Sequence, residues 1–178
     1  MNLNALIKEY YAAKEKHERK IGRYNSSELY EIITNRLKPE DFLKEKKFDL
    51  QSYRNMYEGE IREMALKILL DASKVKYDYQ TKKVKKFKQG FEIVCVADFL
   101  FPDYIVECKS PREFSGGIKE WNRPQLEAQF RLFNKPVYVG YVKSHMESKF
   151  YKYIPSDSLW KNIIDKVDRF NKEIKKEK

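Results

Sequence analysis

The sequence lacks the features by which several protein classes are recognised. It has two cysteines, Cys95 and Cys108, without the CxxC spacing of zinc sites. Its two histidines, His17 and His145, are isolated, so a structural zinc site is not expected. No apolar run approaches the roughly 20 residues of a membrane-spanning helix, and the N-terminus has no signal-peptide apolar segment. We therefore expect a soluble, cytoplasmic protein with no membrane partner.

Acidic residues are fewer than basic ones. The chain has 37 Lys and Arg against 27 Asp and Glu, a net charge of +10. Such an excess favours a polyanionic partner, most commonly nucleic acid. Five lysines cluster between the first two predicted strands, where a loop could follow a phosphate backbone: Lys82, Lys83, Lys85, Lys86 and Lys88. A solvated hairpin tip without a ligand would give the same pattern.

The apolar pattern predicts an α/β protein. Helices are expected before residue 50, at 51–73, at 124–133 and at 156–175. Strands are expected at 75–80, 91–99, 104–109 and 137–142, with a loop at 110–122. From residue 51 the order is helix, three strands, helix, strand, which is typical of a sheet with helices on its faces.

An early helix start is predicted at residues 25–28. The sequence Asn-Ser-Ser-Glu there is typical of a capped helix N-terminus. The residues after it form an apolar face, ending before Pro39: Leu29, Ile32, Ile33 and Leu37.

The central strands are predicted to form a hairpin with residues 102–103 at its tip. Counting back from that tip pairs Asp98 with Glu107, with Cβ atoms about 4.5–5.5 Å apart. Alternation then places Lys109 on the face of Glu107 and Cys108 on the opposite face.

Two opposed carboxylates among apolar residues repel each other, and burial increases the repulsion. A divalent cation such as Mg²⁺ removes that conflict by taking the carboxylate oxygens as ligands. A Glu-x-Lys sequence at a strand end is more often a solvated ion pair. The opposed Asp98 is what favours a functional site at Glu107 and Lys109.

The helix at 51–73 carries two further candidate acids. Its main apolar face is predicted to comprise Tyr57, Ile61, Met64, Ala65, Ile68 and Ala72. Glu63 lies in a second stripe with Gly59 and Leu66, and an acid among apolar neighbours needs a partner or a metal. Glu60 aligns with lysines and is expected on a solvated strip. Glu63 is therefore the better third ligand, although a bond to a lysine would also satisfy it.

Asp98, eight intervening residues and Glu107-Cys108-Lys109 resemble the D…(D/E)xK signature of the PD-(D/E)XK nucleases. The resemblance implies a restriction-endonuclease-like αβββαβ core with a mixed central sheet, extended by N-terminal helices and a C-terminal helix. It also implies that Asp98 and Glu107 bind Mg²⁺ or Mn²⁺ and that Lys109 is the catalytic lysine.

Two other segments resemble RecB-like members of that superfamily. Gly59 followed by Glu63 is similar to their first motif, which implies that Glu63 joins the site. Gln125 and Gln129 resemble their QxxxY helix, without its tyrosine, and imply contacts with nucleic acid. Residues 24–29 are similar to their serine-containing helix start. With two cysteines, the iron–sulfur cluster of the CRISPR-associated members is not expected, which leaves a resemblance to minimal archaeal or viral nucleases.

By this resemblance we expect one domain, residues 1–178, that hydrolyses DNA with little sequence specificity. Residues 1–50 are expected to form a helical extension, 51–145 the catalytic core and 146–178 a C-terminal helix and tail. Two alternatives stay open. One is a Holliday-junction resolvase, which would act as a homodimer, and the other is a nucleic-acid-binding protein without catalysis.

Overall fold

The structure is a computed structural model that describes residues 2–14, 19–44, 48–111, 116–143 and 147–176, residues 12–14 by backbone alone. The helices are α1 (Leu3–Lys14), α2 (Leu29–Ile33), α3 (Pro39–Phe42), α4 (Leu50–Ala72), α5 (Arg123–Phe133) and α6 (Asp157–Lys176). The strands are β1 (Arg23–Asn25), β2 (Asp78–Phe87), β3 (Phe91–Leu100), β4 (Ile105–Lys109), β5 (Val137–Val142) and β6 (Ser148–Lys152). His17 and His145 lie outside the described residues.

The six strands form one mixed sheet in the order β1-β3-β4-β5-β6, with β2 paired to β3. The β1–β3 and β4–β5 pairs are parallel, and the other pairs are antiparallel. Since β2 runs along one whole edge of β3, β1 and β4 share the other edge. β1 pairs with Glu92 to Val94 and β4 with Phe99 and Leu100, so residues 95–98 have no strand beside them on that edge.

Helices cover both faces of the sheet. On one face, α2, α5 and α6 enclose the larger core, which includes Tyr24, Leu29, Ile93, Cys95, Leu126, Val139, Ile163, Val167 and Phe170. On the other face, Leu66 and Leu70 of α4 pack against Phe99, Phe101 and Val106. Each fully buried apolar side chain contributes about 1.5–3 kcal/mol, so the larger core fixes α5 firmly against β3 and β4.

The predicted restriction-endonuclease-like core is confirmed. α4, β2, β3, β4, α5 and β5 follow one another in the expected αβββαβ order, with helices before and α6 after them. The capped start at Asn25 is also confirmed, because a capping box joins Asn25 and Glu28 ahead of α2. β1, α3 and β6 were not predicted. β1 and α3 are too short to show a period, and β6 is a mostly exposed edge strand whose polar side chains hide its pattern.

The placement of the lysine cluster in a loop is wrong. β2 continues through Lys82, Lys83, Lys85 and Lys86, and of the five lysines Lys88 alone lies in the turn. β2 was predicted to end at residue 80 because beyond it the strand is exposed on both faces and has no apolar alternation. Lysines are common on such edge strands, where they discourage pairing with other chains.

The predicted packing of α4 is also wrong. Ile61, Met64 and Ile68 of the expected main apolar face are 44–62% exposed, and the second stripe packs on the sheet instead. A helix with two apolar stripes does not itself specify which one is buried.

Glu60 is not on a solvated strip, since the hydroxyls of Tyr10 and Tyr11 donate to it at 3.1 and 2.6 Å. Despite these apolar stripes, no helix in the described ranges is long and apolar enough to cross a membrane.

Glu127 links α5 to residues 153–156, which precede α6. It is fully buried, and its Oε1 accepts a bond from Arg131 Nε at 2.7 Å. Its Oε2 accepts bonds from the Tyr153 hydroxyl at 2.5 Å and the Ser156 backbone N–H at 2.9 Å. A buried carboxylate is tolerated when it is satisfied in this way.

Replacing Glu127 with alanine should lower the free energy of unfolding by about 3 kcal/mol, because it leaves the partners of a buried charge unsatisfied. Urea unfolding measures this change. Glu120→Ala is the matched control: Glu120 is 76% exposed and lies 3.8 Å from Arg123, so its loss should cost less than about 0.5 kcal/mol. Equal losses in the two variants would contradict the buried role of Glu127.

Candidate active site

The candidate site lies where β3 and β4 separate. Phe99 pairs with Val106 and Leu100 with Ile105, which confirms the hairpin register predicted from a tip at residues 102–103. In that register the next residues to face each other are Asp98 and Glu107. The backbone pairing of the two strands ends just before them, at Phe99 and Val106. The two acids therefore stand at the opening of a gap between the strands.

Side chains take the place of the missing ladder bonds in this gap. The backbone N–H of Cys108 donates to Asp98 Oδ2 at 2.7 Å. Gln129 Nε2 donates to the carbonyl oxygen of Val96 at 3.0 Å and to Glu107 Oε2 at 2.5 Å. Buried backbone groups need such partners, so the separation of the strands depends on Asp98 and Gln129.

Glu107 is the centre of the network. Its side chain is 3% exposed, and its Oε1 accepts bonds from Lys109 Nζ at 2.7 Å and Gln125 Nε2 at 2.6 Å. Lys109 Nζ also donates to Gln125 Oε1 at 3.0 Å. With Gln129 on the other oxygen, the carboxylate is held in one orientation by charge-assisted bonds. Cys108 faces the α4 side, so the predicted alternation along β4 is confirmed.

Asp98 lies among other acids in a poorly solvated place. Burial, then the charge of Glu107, then that of Glu63 raise the pKa of Asp98 well above its ordinary value. Lys109 and the Cys108 N–H oppose this shift but do not cancel it. These acidic side chains thus place more negative charge here than their surroundings easily accommodate.

Lys109 supplies the positive charge of the site. Burial lowers its pKa, but Glu107 and Asp98 raise it by more, so the net pKa lies above the ordinary value. Lys109 is therefore held as an ammonium among these acids. That state suits stabilisation of negative charge better than removal of a proton.

Glu63 approaches the same site from α4. Its Oε1 accepts a bond from Gln80 Nε2 at 3.1 Å. Glu63, Gln80, Lys109 and Ser110 line one cavity of about 370 Å³ beside Gly59. The structure therefore brings all four predicted catalytic side chains, Asp98, Glu107, Lys109 and Glu63, to one region.

Comparison with known proteins identifies the fold. No protein-family profile and no curated protein matches the sequence. Solved structures do match. The protein SSO0001 has a TM-score of 0.71 at 15% identity, over 98% of this chain and 85% of its own. The alkaline exonuclease LHK-Exo of Laribacter hongkongensis has a TM-score of 0.65 at 15% identity, over 96% and 93%.

A phage-related exonuclease from Haemophilus somnus 129PT is also similar, with a TM-score of 0.54 at 13% identity over 87% of this chain and 96% of its own. The chain shares the fold of these solved structures. At such identities the likeness shows the fold alone. At that level it confirms the restriction-endonuclease-like fold that the order of helices and strands predicted.

The donor set of the candidate site fits a hard divalent cation. A carboxylate has about four lone pairs, and the hydrogen bonds above use three on Glu107 and one each on Asp98 and Glu63. In the described ranges, no three His, Cys, Asp or Glu side chains form a cluster that could hold a metal. Mg²⁺ commonly needs only one or two carboxylates with water and phosphate, so Asp98 and Glu107 suffice. Asp98, Glu107 and Glu63 as metal ligands stay predictions.

The two glutamines of α5 have different surroundings. Gln125 is half-buried beside Lys109 and could meet a ligand in the site. Gln129 was expected to contact nucleic acid, but it is fully buried and its Nε2 is bound to Glu107 and Val96. Its Oε1 has no partner among the described residues. We therefore assign Gln129 to positioning Glu107 instead.

Gln80 was not recognised in the sequence as a site residue. It stands at the end of a predicted strand in polar surroundings, and no motif marks it. Its contact with Glu63 depends on how α4 crosses the sheet, which the sequence pattern does not specify.

Asp98→Asn should stabilise the metal-free protein at pH 7 by about 1 kcal/mol, since asparagine keeps the shape but cannot ionise. Because the folded state favours protonated Asp98, the wild type loses stability as pH rises through the raised pKa. The extra stability of Asp98→Asn over the wild type should reach its maximum above that pKa. It should be absent below the unfolded-state pKa of about 3.9.

Thermal unfolding in EDTA between pH 3.5 and 8 measures this difference. Asp103→Asn, at the exposed hairpin tip, is the control and should change stability by less than about 0.5 kcal/mol. A loss of stability in Asp98→Asn at pH 7 would show that the ionised carboxylate is well accommodated without metal, contrary to this account.

Proposed function

We propose that this chain is a divalent-metal-dependent nuclease that hydrolyses phosphodiester bonds in DNA with little sequence specificity. The observation that carries the proposal is the gap between β3 and β4, where Lys109 bonds to Glu107 and the charges of both act on Asp98. A protein that only binds nucleic acid has no need of adjacent carboxylates, which repel phosphate. The likeness to LHK-Exo, also solved in complex with dAMP, supports the class of activity.

Each side chain has a distinct role in the proposed reaction. Asp98 and Glu107 would hold Mg²⁺ or Mn²⁺, with Glu63 as a third ligand. A bound divalent ion polarises a phosphodiester and lowers the pKa of its water. Lys109, held as an ammonium, places positive charge where negative charge develops on the phosphate. Gln125 and Gln129 keep Glu107 in a fixed orientation, so little reorganisation is required on substrate binding.

The basic residues of β2 provide a path for the phosphate backbone. Lys83 lies 5.0 Å from the ring centroid of Phe133, and Lys85 lies 5.8 Å from that of Trp160, on the α5–α6 side. Lys82 and Lys86 are exposed, and contact no acid or ring within the described part of the chain. Lys82 is two residues from Gln80, about 7 Å along a strand, so the path would begin at the cavity that contains Glu63.

Purified protein should cleave plasmid, linear and single-stranded DNA with Mg²⁺ or Mn²⁺ and should be inactive in EDTA. Asp98→Asn and Lys109→Met should each lower kcat about 100-fold or more, because each removes a charge that the transition state needs. Asp103→Asn and Lys161→Met, at exposed positions, are the charge-matched controls. Gel assays of initial rates measure the effect.

Metal-independent cleavage, or full activity in both site variants, would contradict the proposed site. Binding of DNA without cleavage under all conditions would favour the non-catalytic alternative. A four-way junction belongs among the substrates, with light scattering alongside. Preference for the junction by a homodimer would favour a resolvase instead.

Salt dependence tests the path along β2. Each phosphate contact contributes about 0.9 to the slope of log affinity against log salt concentration. The double variant Lys82→Ala, Lys86→Ala should therefore reduce the slope by about 2 when binding is measured by fluorescence anisotropy in Ca²⁺. Lys172→Ala on α6 should leave the slope unchanged, and an equal slope in all proteins would place the DNA elsewhere.

A further inference from the structure

Gln80 has a backbone conformation that is unusual for its position. Its φ is +48°, in the left-handed region that residues with a Cβ rarely adopt. Asn35, Lys74 and Asn134 also have positive φ, but each follows the end of a helix. Gln80 instead lies inside β2, where the backbone is normally extended.

This conformation occurs beside the candidate site. β2 and β3 pair Tyr79 with Phe99 and Thr81 with Ala97, so Gln80 lies opposite Asp98. At this position the side chains of β3 also switch from one face of the sheet to the other. Ala97 packs in the α5–α6 core and Phe99 under α4, although residues two apart on a regular strand face the same side.

The left-handed turn brings two consecutive side chains together. On a regular strand Tyr79 and Gln80 would point to opposite faces. Here Gln80 Nε2 lies 3.3 Å from the Tyr79 hydroxyl and 3.1 Å from Glu63 Oε1. Burial and then the neighbouring Glu63 raise the pKa of Tyr79, so Tyr79 also lies near this carboxylate. Both side chains thus converge on one carboxylate.

Glu63 needs such donors because its carboxylate lies near that of Asp98. Its charge raises the pKa of Asp98, which means that the two carboxylates repel each other in the metal-free protein. Glu63 is on a helix, and its carboxylate would move away from Asp98 unless donors restrained it. Gln80 is such a donor on the facing strand.

We propose that Gln80 is a positioning residue whose left-handed backbone directs its amide to Glu63 and holds that carboxylate at the metal site. This inference rests on the proposed function, because it gives Gln80 a role toward the bound ion. Groups that orient a metal ligand typically change metal affinity or activity 10- to 100-fold when removed. The unfavourable φ is retained because a regular strand would point the amide away from Glu63.

Two substitutions separate the backbone from the amide. Gln80→Asn tolerates the left-handed conformation but is one methylene too short to keep the contact. Gln80→Gly removes the backbone strain and the amide together. Lys74→Gly, at an exposed left-handed position after α4, is the control for strain relief away from the site.

Mn²⁺ affinity of the full chain without DNA, measured by calorimetry, should fall about tenfold in Gln80→Asn and Gln80→Gly. It should not change in Lys74→Gly. In cleavage assays the half-saturating Mn²⁺ concentration should rise by the same factor, while saturating Mn²⁺ restores most of kcat. In EDTA, Gln80→Gly should unfold at a temperature no lower than the wild type.

A double-mutant cycle of Gln80→Asn with Glu63→Ala in EDTA tests the contact itself, and the two shifts in unfolding midpoint should not add. If the wild type binds Mn²⁺ but the Gln80 variants bind it equally well, or if the shifts add, the inference is overturned and the proposed function stands. If the wild type binds no Mn²⁺, the proposed function fails and the inference fails with it.

Discussion

The buried carboxylate of Glu107 determines the arrangement of the rest of the site. A carboxyl side chain at 3% exposure is stable only when its polar atoms have hydrogen-bond partners. Lys109, Gln125 and Gln129 satisfy them, from β4 itself and from α5. Because Gln129 also bonds to the Val96 carbonyl, the same amide that holds Glu107 keeps β3 and β4 apart. The position of α5 and the gap in the sheet are thus linked by one side chain.

The edge of β3 explains why the site forms where it does. β1 pairs with the first part of that edge and β4 with the last, so residues between them must find hydrogen-bond partners other than a strand. Polar side chains occupy this gap between β3 and β4. Two of them, Asp98 and Glu107, are acids. Asp98 is held close to Glu107 against their mutual repulsion, which raises its pKa. The fold therefore maintains a local excess of negative charge that a hard cation would neutralise.

The sequence predicted local features well and long-range ones poorly. The hairpin register followed from the tip at residues 102–103, and alternation then placed Glu107 and Lys109 on one face. Such features depend on neighbouring residues and on a strand period of two. The packed face of α4 was wrong, because Ile61 and Leu66 are equally apolar and only the tertiary fold decides which is buried. Gln129 and Gln80 act through contacts 22 and 17 residues away in sequence, which no local pattern encodes.

We propose that Asp98 and Glu107 together bind a divalent metal ion. Anomalous diffraction from crystals grown with Mn²⁺, which marks the ion directly, tests it most simply. We expect a single strong peak in the gap between β3 and β4, about 2 Å from a carboxylate oxygen of each residue. A peak at another site, or none at a Mn²⁺ concentration that supports cleavage, would contradict it.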